Sequence, residues 1–447
     1  MTLSISFTET ERRSLTMSEI ISFESVLLGE KYYKIKHDSG LNVFVFPKEM
    51  TTTYGVFSVN FGGNVNEYLC NGERVTIPQG CAHFLEHKLF ENEDGSNADD
   101  IFASLGAYDN AYTSNERTAY LFSATDKVDE AIRQLLYFVT HPYFTKETVK
   151  KEIGIIAEEI RGCVDDPYDR CYMNMLGAMY FENPVRNEIC GSEESISQIT
   201  PEVLYRCCKD FYTPENMVLA LCGNVTPESV LEIVNREIGD GRRDFAARLE
   251  SFDEPKAVKN AFVEKRMPVG KPLFCIGIKD CEIPASAFER YRRTEGMNIL
   301  LHMMFSEAGE FYLEMLESGI VSPGFDSGYS SSAKTAYVMM SGESDSPEAL
   351  LEKIKEHIAK CRREGLDRGD FEREKRCVYA SYISDFDSTE DIAFALTSYA
   401  YDGMDLFEYP KIIESVTFEY VCELLDTVFD DEYFTLSVVR PENERKR

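Results

Sequence analysis

The chain has 447 residues, 43% hydrophobic and 28% charged, so it can bury substantial cores, is not disordered, and fits roughly two to four domains better than one. Its formal net charge of -31 argues against a nucleic-acid binder, which needs a basic surface to displace counterions from phosphates, and would suit cationic peptides if the acidity lined a closed chamber. No apolar run approaches the roughly 18 residues of a membrane span, and the opening residues, with Glu9, Glu11, Arg12 and Arg13, lack the apolar stretch of a signal peptide. Thirteen cysteines, an odd number without C-x-x-C spacing, read as reduced thiols, so a cytoplasmic location is expected.

In chain order, Asn42 to Phe46 and Tyr54 to Asn60 are strand-like. His83-Phe84-Leu85-Glu86-His87 follows. On a helix, at about 100° per residue, His83 and His87 differ by about 40° in direction and Glu86 lies about 60° to the other side of His83. Two imidazoles and a carboxylate thus share one face, which suits Zn²⁺ with a general base beside it. The order H-x-x-E-H is the inverzincin signature. Cys81 points about 160° away from His83 and is no ligand.

Ala98 to Leu105 reads as a short helix, and Val128, Ala131, Ile132, Leu135, Leu136 and Val139 give helical spacing. From Thr145 to Gly162 the spacing predicts a helix whose stripe is Val149, Ile153, Ile156 and Ile160. Glu152 and Glu159 fall together on the border of that stripe, about 40° and 60° from Ile156, whereas Glu158 points about 160° away. A catalytic Zn²⁺ site needs a third protein ligand. Helical direction selects Glu159 over Glu158 but leaves Glu159 and Glu152 both open.

Ile196 to Leu204 and Ile413 to Val421 share the pattern I-x-x-[IV]-T-x-E-x-[LV], 217 residues apart, and a strand-like run follows each, Met217 to Leu221 and Tyr433 to Val439. Polar Glu237 to Lys259, with Gly239, Gly241 and Pro255, is the natural linker. The domains expected are therefore 20–236, carrying the His pair, and 260–441, joined by 237–259. All the metal-ligand candidates precede the linker, so the first half alone is expected to hold a metal. Shifting His83, Glu86 and His87 by 217 gives Leu300, Met303 and Met304, which with Leu301 read as helix core; His302 has no His at the right spacing, and one metal per chain is expected.

These motifs resemble the M16 family of zinc peptidases, the family of pitrilysin, insulysin and the mitochondrial processing peptidases. The resemblance rests on Gly80 to His87 with Phe90, Gly106 to Thr113 with Thr118 and Tyr120, Glu152 to Glu159, and Tyr212 to Met217. Asn183 to Arg186 through Gly191, with Glu159-Ile160-Arg161, resembles its bacterial YmfH-like branch. The resemblance implies an α+β fold of two homologous halves, each an antiparallel sheet with helices on one face (the M16/LuxS-like metallohydrolase fold). It implies Zn²⁺ on His83, His87 and Glu159, Glu86 as the base, Glu152 in support from outside the ligand shell, and Asn110, Ala111, Tyr112 and Thr113 as an edge strand to which a peptide substrate adds. The expected activity is that of a zinc-dependent endopeptidase working in a closed chamber. The alternative is a mainly structural subunit of a homodimer, or of a heterodimer with another family member. The family's substrate-clamping Arg has no counterpart in Phe311 to Val321; Tyr312, Tyr329 and Tyr337 are candidate substitutes that read better as packing aromatics.

Overall fold

The computed structural model describes residues 19–442 except 240, 243, 250 and 251. The first half builds a seven-stranded sheet in the order Glu19–Ser25, Glu30–Lys36, Asn42–Pro47, Met217–Gly223, Thr53–Val59, Thr118–Ala124, Tyr108–Thr113. The second half builds five strands in the order Phe262–Met267, Phe434–Pro441, Leu273–Lys279, Ala336–Glu343, Asp326–Ser331. Each sheet is antiparallel apart from one parallel pair, Asn42–Pro47 with Met217–Gly223 and Phe262–Met267 with Phe434–Pro441. The last five strands of the first order therefore repeat the second order. The 217-residue shift carries helix Pro201–Phe211 onto helix Phe418–Val428. Both helices start alike: Thr200 accepts a hydrogen bond from the Val203 N–H and Thr417 from the Tyr420 N–H, satisfying one of the unpaired donors at each helix start.

The fold is α+β, in two homologous halves. One face of each sheet packs on helices of its own half. The other face carries a feature that short-range pattern does not reveal, because the halves exchange a helix. Pro167–Met179 leaves the first half and packs Cys171, Met175 and Met179 against Leu273, Cys275 and Val439 of the second sheet. Gly277 makes the room, since a Cβ there would stand 2.2 Å from Met179 Cε. Reciprocally, Thr389–Asp402 packs Ile392, Ala393 and Leu396 against Phe46, Val56 and Ala220 of the first sheet. Both faces of both sheets are apolar for that reason.

The 237–259 segment is also more than a tether. Glu237 ends helix Pro227–Glu237, and Ala247–Leu249 adds a strand to the hairpin Glu67–Cys70 and Glu73–Thr76. The Glu254 carboxylate accepts hydrogen bonds from the N–H groups of Phe181, Glu182 and Asn183 and from Lys279 Nζ, tying the segment to both halves. The exchange bears on the expectation that the first half holds a metal by itself, because it leaves that half without a helix that covers its sheet. A fragment ending near Arg242 bares the sheet face that Thr389–Asp402 covers and leaves Pro167–Met179 with no partner. It should aggregate or elute as soluble oligomers, and co-expression of residues 243–447 should restore a compact particle. Gel filtration of the fragment with and without the second half checks this.

Candidate metal centre

Helix Cys81–Leu89 starts from Gly80, whose φ of 90° suits glycine alone and whose missing side chain leaves space for the Cys190 carbonyl; a Cβ would lie 2.5 Å from that oxygen. Phe84, Leu85 and Leu89 bury the helix in the first core, so its other face, with His83, Glu86 and His87, turns toward helix Lys146–Asp165 and strand Tyr108–Thr113. Lys146–Asp165 opens with a capping box in which Thr145 and Thr148 satisfy each other's backbone N–H. Val149, Ile156 and Ile160 are buried on it as the spacing predicts, while Ile153 is only partly covered.

This packing gathers His83, His87 and Glu159, whose ligand atoms all lie within 4.8 Å of one another, the one such grouping among the described residues. His83 Nε2 is 3.3 Å from Glu159 Oε1 and His87 Nε2 is 3.5 Å from Glu159 Oε2. A tetrahedral Zn²⁺ site with bonds of roughly 2.0–2.1 Å has ligand-to-ligand edges of about 3.4 Å, so the three residues fit that ion and leave a fourth position for water. Glu158, expected to point away, bonds to Arg161 Nη1 at 2.5 Å instead. Cys81 is buried with its thiol beside Cys207.

Glu152, 6% exposed, holds His87 from behind through Oε1 and His87 Nδ1 at 3.1 Å. This fixes the ring so that Nε2 faces Glu159. Burial pulls the His87 pKa down, but the hydrogen bond to Glu152 and the charges of Glu86, Glu159 and Glu152 outweigh it, and the net shift is upward. Burial pushes Glu152 up, and the His87 hydrogen bond with the charges of Lys88, His87 and Lys151 reverses this to a net lowering. Glu159 is lowered first by its hydrogen bond with His83, against opposing burial.

Two contacts were not legible in the sequence. The Thr113 hydroxyl donates to Glu86 Oε2 at 2.6 Å, fixing one oxygen of the candidate base. Thr118, whose hydroxyl donates to the Phe61 carbonyl at 2.8 Å, stands 3.4 Å from Thr113 Oγ1. Thr113 belongs to the edge strand Tyr108–Thr113, as the resemblance implies for Asn110 to Thr113. Along it side chains alternate: Asn110 and Tyr112 are exposed, Ala111 and Thr113 partly covered. Asn110 Oδ1 accepts from the Ala111 N–H at 2.9 Å, and the Tyr112 ring lies 5.9 Å from that of Phe394 in the second half.

In the second half Leu300, Leu301 and Met304 are buried core and Met303 packs against them, as expected. The three tyrosines are held elsewhere: Tyr312 is in that core, Tyr337 bonds to Tyr172 at 2.7 Å, and Tyr329 donates to Asp280 at 2.6 Å.

The fold is thus a duplicated α+β frame in which one half sets a helix bearing the H-x-x-E-H sequence pattern against a glutamate-bearing helix. The chain belongs to the M16 peptidase family. Residues 75–193 match the family model for insulinase (peptidase family M16), and residues 198–377 match that for the peptidase M16 inactive domain. The zinc protease YmfH of Bacillus subtilis, itself uncharacterized, is 34% identical over 93% of this chain and 98% of its own. The crystal structure of a putative M16-like peptidase from Alicyclobacillus acidocaldarius superposes with a TM-score of 0.86 at 29% identity, covering 95% of this chain and 99% of that one. Pitrilysin superposes with a TM-score of 0.73 at 13% identity over 96% of this chain but only 47% of its own.

Proposed function

We propose that the chain is a zinc-dependent endopeptidase acting on peptides or small unfolded polypeptides. The observation that carries this reading is the convergence of His83, His87 and Glu159 within 4.8 Å, with Glu86 on the same helix face and oriented by Thr113. A bound Zn²⁺ supplies Lewis-acid polarisation of a carbonyl and a water of lowered pKa. Glu86, one oxygen held by Thr113, takes the proton of the attacking water with the other and delivers it to the departing amine. The edge strand from Asn110 to Thr113 takes the substrate as an added strand, whose main-chain hydrogen bonds give affinity without demanding one sequence. Asn110 Oδ1 releases the Ala111 N–H as that strand arrives.

The reading includes a paired assembly, a homodimer or a heterodimer with another M16 subunit, in which the partner closes the chamber. A purely structural role is opposed by three converging ligands and a base, which a scaffold does not need. Among the described residues no helix is long and apolar enough to cross a membrane, and all thirteen cysteines are free, which supports a reducing compartment, the cytoplasm.

Zinc content measured together with digestion of a peptide library, with and without a candidate partner, tests the reading; a chain that takes up no zinc and cuts nothing in either case overturns it. Thr113→Val should lower turnover by about tenfold or more, since a hydrogen bond to a charged group is worth about 1.5–3 kcal/mol, while Thr113→Ser keeps the donor and most of the rate. Equal rates for the two variants would remove Thr113 from the site.

A further inference from the structure

Lys88 is the most unusual side chain near the site. It follows His87 on the motif helix, is fully buried at 0% exposure, and so has no water to solvate its ammonium. Removing an ammonium from water costs several kcal/mol unless opposite charge is close. Its neighbours are carboxylates: Glu91 Oε2 at 2.5 Å, one turn on, and Glu152 Oε2 at 3.8 Å, from the helix that also carries Glu159. Neither contact is aligned as a hydrogen bond, so both act as charge pairs.

The two oxygens of Glu152 therefore have different partners. Oε2 faces Lys88 and Oε1 meets His87 Nδ1. We infer that Lys88 is a positioning residue for the metal centre: held by Glu91, it anchors Glu152 so that Oε1 fixes the His87 ring with Nε2 toward Glu159. The buried cation, held between Glu91 and Glu152, also offsets part of the negative charge that Glu86, Glu152 and Glu159 place beside His87. The other ligand has no such support, because His83 Nδ1 is buried without a hydrogen-bond partner among the described residues. The site's orientation thus depends on the His87 side, through a chain of contacts from Glu91 to Lys88 to Glu152.

This inference rests on the zinc reading above, and its test separates the two. Zinc affinity is measured by chelator competition, and the Co²⁺-loaded protein is measured by absorption, for wild type, Lys88→Met, Glu152→Gln and the double variant. Lys88→Met should weaken zinc by about 10- to 100-fold, as expected for a partner outside the ligand shell, and should shift the Co²⁺ bands. In the Glu152→Gln background, Lys88→Met should cost little more. If Lys88→Met alone does not fold, the comparison of Glu152→Gln with the double variant still decides. A wild-type affinity and spectrum in folded Lys88→Met, or a further tenfold loss on adding it to Glu152→Gln, overturns the inference. Absence of zinc binding by the wild type would instead overturn the site reading itself.

Discussion

In the Glu86→Gln protein, zinc should stay at the wild-type level while peptide turnover falls by about 10² to 10⁴-fold, the range for loss of a general acid or base. The amide keeps the size of the carboxylate and can still accept from Thr113, so binding geometry is preserved and only the proton acceptor is lost. Glu86 lies on the same helix face as the histidines but outside the set of converging ligand atoms, which is why its removal spares the metal. Metal analysis and peptide assays on one preparation separate the two effects. Turnover near the wild-type level would show that Glu86 is not the base.

The second large effect is on the metal. His83→Ala, His87→Ala and Glu159→Gln should each abolish tight zinc binding, because each removes one of only three protein ligands. Glu158→Gln should keep it, since the Glu158 side chain is 74% exposed and paired with Arg161. Glu152→Gln should fall between, weakening zinc by about 10- to 100-fold through a loosened His87 ring. Stoichiometry by metal analysis after dialysis reads all five variants. Full zinc in Glu159→Gln with loss in Glu158→Gln would reverse the ligand choice.

Much of the site was legible because helical periodicity is local. Residues three and four apart share a face whatever surrounds the helix, so His83, Glu86 and His87 could be placed together, and Glu158 set aside, from direction alone. The choice between Glu152 and Glu159 was not local. Both lie on one face of Lys146–Asp165, and which of them meets Nε2 of the histidines, and which meets Nδ1 of His87, depends on the height at which two helices cross. The family resemblance supplied that order, and the packed helices give the distances that match it.

The sequence by itself determined the helix that carries His83, Glu86 and His87, the helix opposite it that carries Glu152 and Glu159, the 217-residue internal repeat and the apolar residues Leu300, Met303 and Met304 at the shifted positions. Each of these is written in residue type and short spacing, which act through local backbone geometry. The tertiary structure alone decided the rest. Strand Tyr108–Thr113 brings the Thr113 hydroxyl to Glu86, a contact 27 residues apart in the chain. Burial turns Lys88, which as sequence is one more surface-type lysine, into a fixed charge between Glu91 and Glu152. The exchange of Pro167–Met179 for Thr389–Asp402 makes each half incomplete without the other. Such features depend on which apolar faces meet, and an apolar stripe records only that a face will be buried, not against which partner.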